Sequence, residues 1–150
     1  MSPYLAEFLG TLTLVVLGDG VVAGVLLKQT KSENAGWLTI VMGWGLSVTL
    51  AIYAVGQFSG AHINPAVTLA LAYHGSFSWE VVPGYWLAQL AGAFTGAIVV
   101  WLHYYPHWKA TVNPAQKLAV FCTGPAIRSA IHNLISEIIG TAVLILGLLT

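Results

Sequence analysis

Only five basic and five acidic residues occur in 150, and this shortage of charge limits the chain more than any motif does. A soluble domain uses about 25% charged residues because most of its surface meets water. Here the charged share is 7% and the apolar share 57%, with a mean hydropathy of +0.81. The surface that charge cannot cover must face lipid, so the sequence predicts an all-α integral membrane protein. Sixteen glycines and six tryptophans suit that setting, glycine for close helix approach and tryptophan for the interfaces. Zero net charge leaves no basic footprint for nucleic acid. One cysteine, Cys122, excludes a disulfide framework and a Cys-based zinc site.

Apolar runs predict membrane spans over about residues 4–27, 37–56, 82–104 and 133–150. The first has no basic n-region and no small-residue cleavage site, so it reads as a mature span and not a signal peptide. A short polar loop, Lys28 to Ala35, follows it, and a long polar connection covers 106–132. Residues 57–74 are different. Pro65 to Tyr73 is apolar and helical in character, yet nine residues span only about 14 Å, half a bilayer. Asn64-Pro65 ahead of it is a strong helix start, a capping side chain followed by proline at the first helical position. Ser59 to His62 reads as irregular, and irregular backbone at membrane depth must be buried in protein or line a watery cavity. The segment is predicted to be re-entrant, an extended stretch inward followed by a half-helix outward.

An internal repeat organises the rest. Glu7-Phe8-Leu9-Gly10-Thr11 recurs as Glu137-Ile138-Ile139-Gly140-Thr141, each copy early in an apolar span. Each unit then has three spans, and an odd number per unit implies units of opposite orientation, an inverted repeat. Residues 1–105 are then a first repeat, 106–132 a connecting loop, and 133–150 the first helix of a second repeat, so the expected bundle is incomplete.

The stretch SGAHINPAVT, Ser59 to Thr68, together with Glu7, the run Gln89 to Phe94 and the repeat at Glu137, resembles the major intrinsic protein family of aquaporins and glycerol facilitators. The resemblance covers the first half of the family pattern plus one helix. It implies an aquaporin-like inverted-repeat bundle that passes glycerol, similar small uncharged polyols and water, works as a homotetramer in the cell membrane, and needs no cofactor. Trp44, 20 positions before Asn64, falls where glycerol facilitators carry tryptophan and water-selective members usually carry phenylalanine. A second Asn-Pro-Ala at Asn113 lies 49 positions after the first, with room for one span where the inverted repeat needs three. It reads as a chance tripeptide in a surface loop.

The resemblance also implies roles. Gly60, Ala61, His62 and Ile63 would present carbonyl oxygens to the lumen, and Asn64 at the Pro65-Ala66 half-helix would offer its amide to a passing hydroxyl. A half-helix N-terminus carries roughly +0.5 charge, which disfavours cations and a proton-conducting water wire. Trp44 would be an apolar wall, and Val48 belongs with the pore-lining residues. Glu7 and Glu137 would brace the two re-entrant loops, supported by Gln89, and the His62 ring would serve structure. Asp19 has no evident role in this pattern. Gly20-x-x-x-Gly24 and Gly92-x-x-x-Gly96 read as close-packing faces. His74, His103, His107 and His132 look interfacial, and their spacing makes no metal site.

Two further readings come from other classes. A secondary transporter with broken helices would show saturable or ion-driven uptake. An intramembrane enzyme would need a nucleophile with a base at suitable spacing, and none appears. Lysine and arginine fall in the 28–35 and 106–132 loops, which by the positive-inside rule would be cytoplasmic. The resemblance implies the opposite orientation, which we adopt.

Overall fold

The computed structural model describes residues 1–149; the last residue of the predicted 133–150 span, Thr150, lies outside them. Seven helices are present among the described residues: α1 (Pro3–Leu26), α2 (Trp37–Ser59), α3 (Pro65–His74), α4 (Val82–His103), α5 (Tyr105–Ala110), α6 (Pro114–Phe121) and α7 (Ala130–Leu149). Of these, α1, α2, α4 and α7 are long and apolar enough to cross a membrane. Helix α1 starts where Ser2 Oγ accepts the Leu5 N–H at 3.3 Å and proline occupies the first turn. It is the hub, with α2 on one side, α4 on another and α6 near its C-terminal end. Helix α7 reaches α3 but buries none of its own residues.

Absent side chains set the helix spacing. A Cβ on Gly92 of α4 would collide with the Phe8 carbonyl oxygen of α1, and one on Gly96 would lie 3.0 Å from Val15. On the α1–α2 side, Gly18 leaves room for the Trp44 ring and Gly43 for Val21. Dispersion along such close contacts is what joins helices when lipid removes the hydrophobic driving force. The pairing predicted for Gly20 fails. Nothing lies within 4 Å of a Cβ there, whereas Gly24 faces Ser32 Oγ and Tyr104.

Three boundaries differ from expectation. Helix α2 continues to Ser59, past the predicted end at 56, and is stopped by Gly60 in the left-handed region at φ 81°. Helix α7 begins at Ala130, three residues early. The connection over 106–132 is no bare loop but carries most of α5 and all of α6. Asn113 is therefore corrected as well. Its Oδ1 accepts the Ala115 N–H at 2.9 Å and starts α6, whose Val120 is buried with Ala23, Leu27 and Val100. Its tripeptide works as a helix start on a packed helix. The same connection ties down the first loop, where the Lys28 N–H donates to Thr111 Oγ1 at 2.9 Å and His107 Nδ1 donates to the Lys28 carbonyl at 3.0 Å. Lys28 Nζ meets Glu33 Oε1 at 2.8 Å, and this bond, aided by the Gln29 N–H, holds the Glu33 carboxyl below its ordinary range.

Candidate functional site

Glu7 sits one turn into α1, fully buried, and organises everything around residues 59–68. A carboxylate has about four acceptor positions, and four donors fill them here. Oε1 accepts Ser59 O–H at 2.6 Å and the His62 N–H at 3.0 Å. Oε2 accepts the Ile63 N–H at 2.7 Å and Gln89 Nε2 at 2.8 Å. The Ala61 N–H goes to Ser59 Oγ at 3.1 Å. Three consecutive backbone N–H groups are thus drawn to one side of the loop.

Conformation follows from that pull. Ala61 and Ile63 have φ values of 48° and 43°, in the left-handed region that a β-branched residue seldom enters. Such strain persists only where the surroundings over-determine it, here through the Glu7 bonds. With the N–H groups turned to Glu7, no hydrogen bond reaches the carbonyl oxygens of Gly60, Ala61, His62 or Ile63 among the described residues. These residues line a cavity of about 280 Å³ together with Asn64, Val48 and Ile52. Bare backbone acceptors beside a cavity are set to bind hydroxyl groups.

The half-helix is fastened at several points. Asn64 Oδ1 accepts the Ala66 N–H at 2.8 Å, and Pro65 opens α3. Thr68 Oγ1 donates to the Asn64 carbonyl at 3.2 Å and accepts from Gln89 Nε2 at 3.0 Å. With that proton committed, His62 Nδ1 is the donor in its 3.1 Å contact with Thr68. The His62 ring is wedged between Phe77 and Tyr85, centroids 4.6 and 4.9 Å away. Tyr85 O–H donates to the Ser59 carbonyl at 2.9 Å, and Trp86 Nε1 to the Pro65 carbonyl at 3.1 Å.

Trp44 belongs to a second cavity, about 600 Å³, with Trp37, Ile40 and Val41 of α2 and with Ala119, Thr123 and Gly124 of the connecting segment. Val48, one turn further along α2, lines the loop cavity. One face of α2, with residues 40, 44, 48 and 52 at four-residue steps, therefore runs along both spaces.

The family model described as Major intrinsic protein matches residues 1–150. The chain belongs to the major intrinsic protein family. It is 61% identical over 149 residues to a protein of Thermotoga maritima described as a probable glycerol uptake facilitator, covering 99% of this chain and 64% of that one. A Bacillus subtilis protein described as a glycerol uptake facilitator is 53% identical over 149 residues, covering 99% of this chain and 54% of its own length. The chain thus spans between about half and two thirds of these curated relatives. The X-ray structure of the aquaglyceroporin from Plasmodium falciparum superposes with a TM-score of 0.65 at 36% identity, over 71% of this chain and 43% of that one. Family membership and four apolar spans make the chain part of an integral multi-pass membrane protein of all-α, aquaporin-like fold.

In this major intrinsic protein, Glu7, Gln89 and residues 60–66 meet around one loop, and Trp44 and Val48 follow along α2. Glu137 is apart from them, exposed on α7 and without a hydrogen bond among the described residues. Asp19, half-buried on α1, takes no part in the network. No group of three potential metal ligands occurs among the described residues. Ser59, Thr68 and Tyr85 carry bonds that the sequence reading did not assign. Tyr85 stands four residues before Gln89 on one face of α4, and that spacing was the available signal.

Proposed function

We propose that the chain supplies one half of a passive channel for glycerol, similar small uncharged polyols and water. Residues 1–105 form its first repeat, 106–132 connect, and 133–150 open the second repeat. Capture of the His62 and Ile63 N–H groups by Glu7 is the observation that supports this reading most, because the four residues 60–63 line a cavity with no hydrogen bond to their carbonyl oxygens among the described residues. A hydroxyl group entering hydrocarbon without a hydrogen bond costs about 4–8 kcal/mol, so a ladder of fixed acceptors removes much of the barrier for a solute with several hydroxyls. Gly60 to Ile63 supply the ladder, Asn64 offers its amide N–H, and Pro65 and Ala66 begin the half-helix behind it. The N-terminal end of α3 adds its positive end charge there and disfavours cations. No bond is made or broken, so the role is conduction and not catalysis.

Trp44 and the names of the relatives support glycerol over water alone. Its indole gives the carbon face of a polyol an apolar wall. The assembled protein is proposed to be a homotetramer in the cell membrane. Trp44→Phe in the whole protein tests the wall. The ratio of glycerol to water permeability in proteoliposomes is expected to fall by up to about tenfold, the discrimination one apolar group gives in a shaped pocket. An unchanged ratio removes Trp44 from the selectivity account.

A further inference from the structure

Helix α1 has a second cavity-lining face. Leu14, Val22 and Leu26 border the two spaces described above. Gly20 and Gly24 border a third, about 420 Å³, between the C-terminal halves of α1 and α4, and it shares no lining residue with the other two. The space is open beside Gly20, where a Cβ would meet nothing within 4 Å.

The cavity changes polarity along its length. At one end Ser32 Oγ and Tyr104 O–H close over Gly24, at 2.7 and 3.2 Å from where its Cβ would be. The Gly24 carbonyl is taken by Thr30 Oγ1, and neither the Ser32 nor the Tyr104 hydroxyl has a hydrogen-bond partner among the described residues. Val16, Leu17 and Val99 line the other end, eight residues or about 12 Å along α1. Leu17 and Val99 are 39% and 40% exposed, so this end opens sideways. Helices α1 and α4 stop at Leu26 and His103, which puts the hydroxyls at the membrane surface and the valines within the hydrocarbon. Charge adds a sign. No carboxylate lines the space, Glu33 is committed to Lys28 at 2.8 Å, and Lys31, the exposed residue preceding Ser32 in the chain, makes no ion pair among the described residues.

We infer that this cavity holds an anionic phospholipid, its phosphate at Ser32, Tyr104 and Lys31 and one acyl chain lying along Gly20 between α1 and α4. The occupant comes from the leaflet in which α1 ends.

Native mass spectrometry of the whole protein, released from phosphatidylglycerol or phosphatidylcholine nanodiscs, counts the retained lipid. Phosphatidylglycerol is expected to be retained about tenfold more than phosphatidylcholine. Gly20→Leu fills the chain slot and should abolish retention of both while glycerol permeability stays at the parent level. Ser32→Ala with Tyr104→Phe keeps the slot, and should lose the preference by about tenfold, as expected for hydrogen bonds to a charged group. Equal retention of the two lipids by the parent protein overturns the proposal. So does displacement by millimolar inorganic phosphate, which would mark a free-anion site. A change of oligomeric state in Gly20→Leu with lipid retention unaltered assigns the space to a second copy and also overturns it.

Discussion

Glu7→Gln in the whole protein is expected to bring glycerol permeability close to that of protein-free liposomes. Glutamine keeps the size of glutamate but replaces one oxygen by an NH2 group. Whichever way that amide turns, it confronts a backbone N–H of His62 or Ile63, and neither can rotate away. The buried loop is left with an unsatisfied donor and a clash, a loss of about 3 kcal/mol or more for a network of this kind. Ile63 at φ 43° and Ala61 at φ 48° are held in the left-handed region by bonds that converge on Glu7, directly or through Ser59, so the carbonyl row should disperse when they are lost. Stopped-flow light scattering reads the permeability, and thermal unfolding in detergent reads the stability. Parent-level glycerol flux in Glu7→Gln would mean that the loop geometry does not govern conduction.

Gly92→Leu should be comparably severe through packing alone. A Cβ at this position collides with the Phe8 carbonyl oxygen and lies 3.1 and 3.2 Å from the Phe8 carbonyl carbon and the Leu12 nitrogen. All three are backbone atoms inside α1, so the helices must separate, at a cost of about 3 kcal/mol. Gln89, three residues earlier on α4, would be drawn off Glu7 and Thr68 at the same time. The measured outcome is loss of the monodisperse peak on size-exclusion chromatography and a lowered unfolding temperature. Gly20→Ala serves as the control, since its Cβ meets nothing within 4 Å and should leave both unchanged. Equal behaviour of the two variants would contradict the packing argument.

These two glycines also show what could be read from residues in order. Gly20-x-x-x-Gly24 and Gly92-x-x-x-Gly96 have the same spacing, and only the second presses on a neighbouring helix. Spacing says that a face is smooth. It does not say which helix, if any, arrives there. The Asn64-Pro65 start and the half-length of α3 were legible because capping chemistry and bilayer thickness are local constraints. Glu7 was legible as a brace through the family resemblance. Gln89 was legible as its support in the same way, but Ser59 was not, because it reaches Glu7 from 52 residues away and a single polar side chain carries no periodic signal. Helix α6 escaped notice for another reason. Gln116 and Lys117 make it look like solvated loop, while one residue, Val120, is enough to seat it on α1.

Passive conduction of an uncharged polyol along the Glu7-braced loop is tested most directly by flux in liposomes carrying the whole protein. An inward glycerol gradient, with no ion gradient present, should drive swelling well above protein-free liposomes, at a rate proportional to the gradient and without a proton current. Swelling at the protein-free rate, or uptake that saturates or requires an ion gradient, would contradict it.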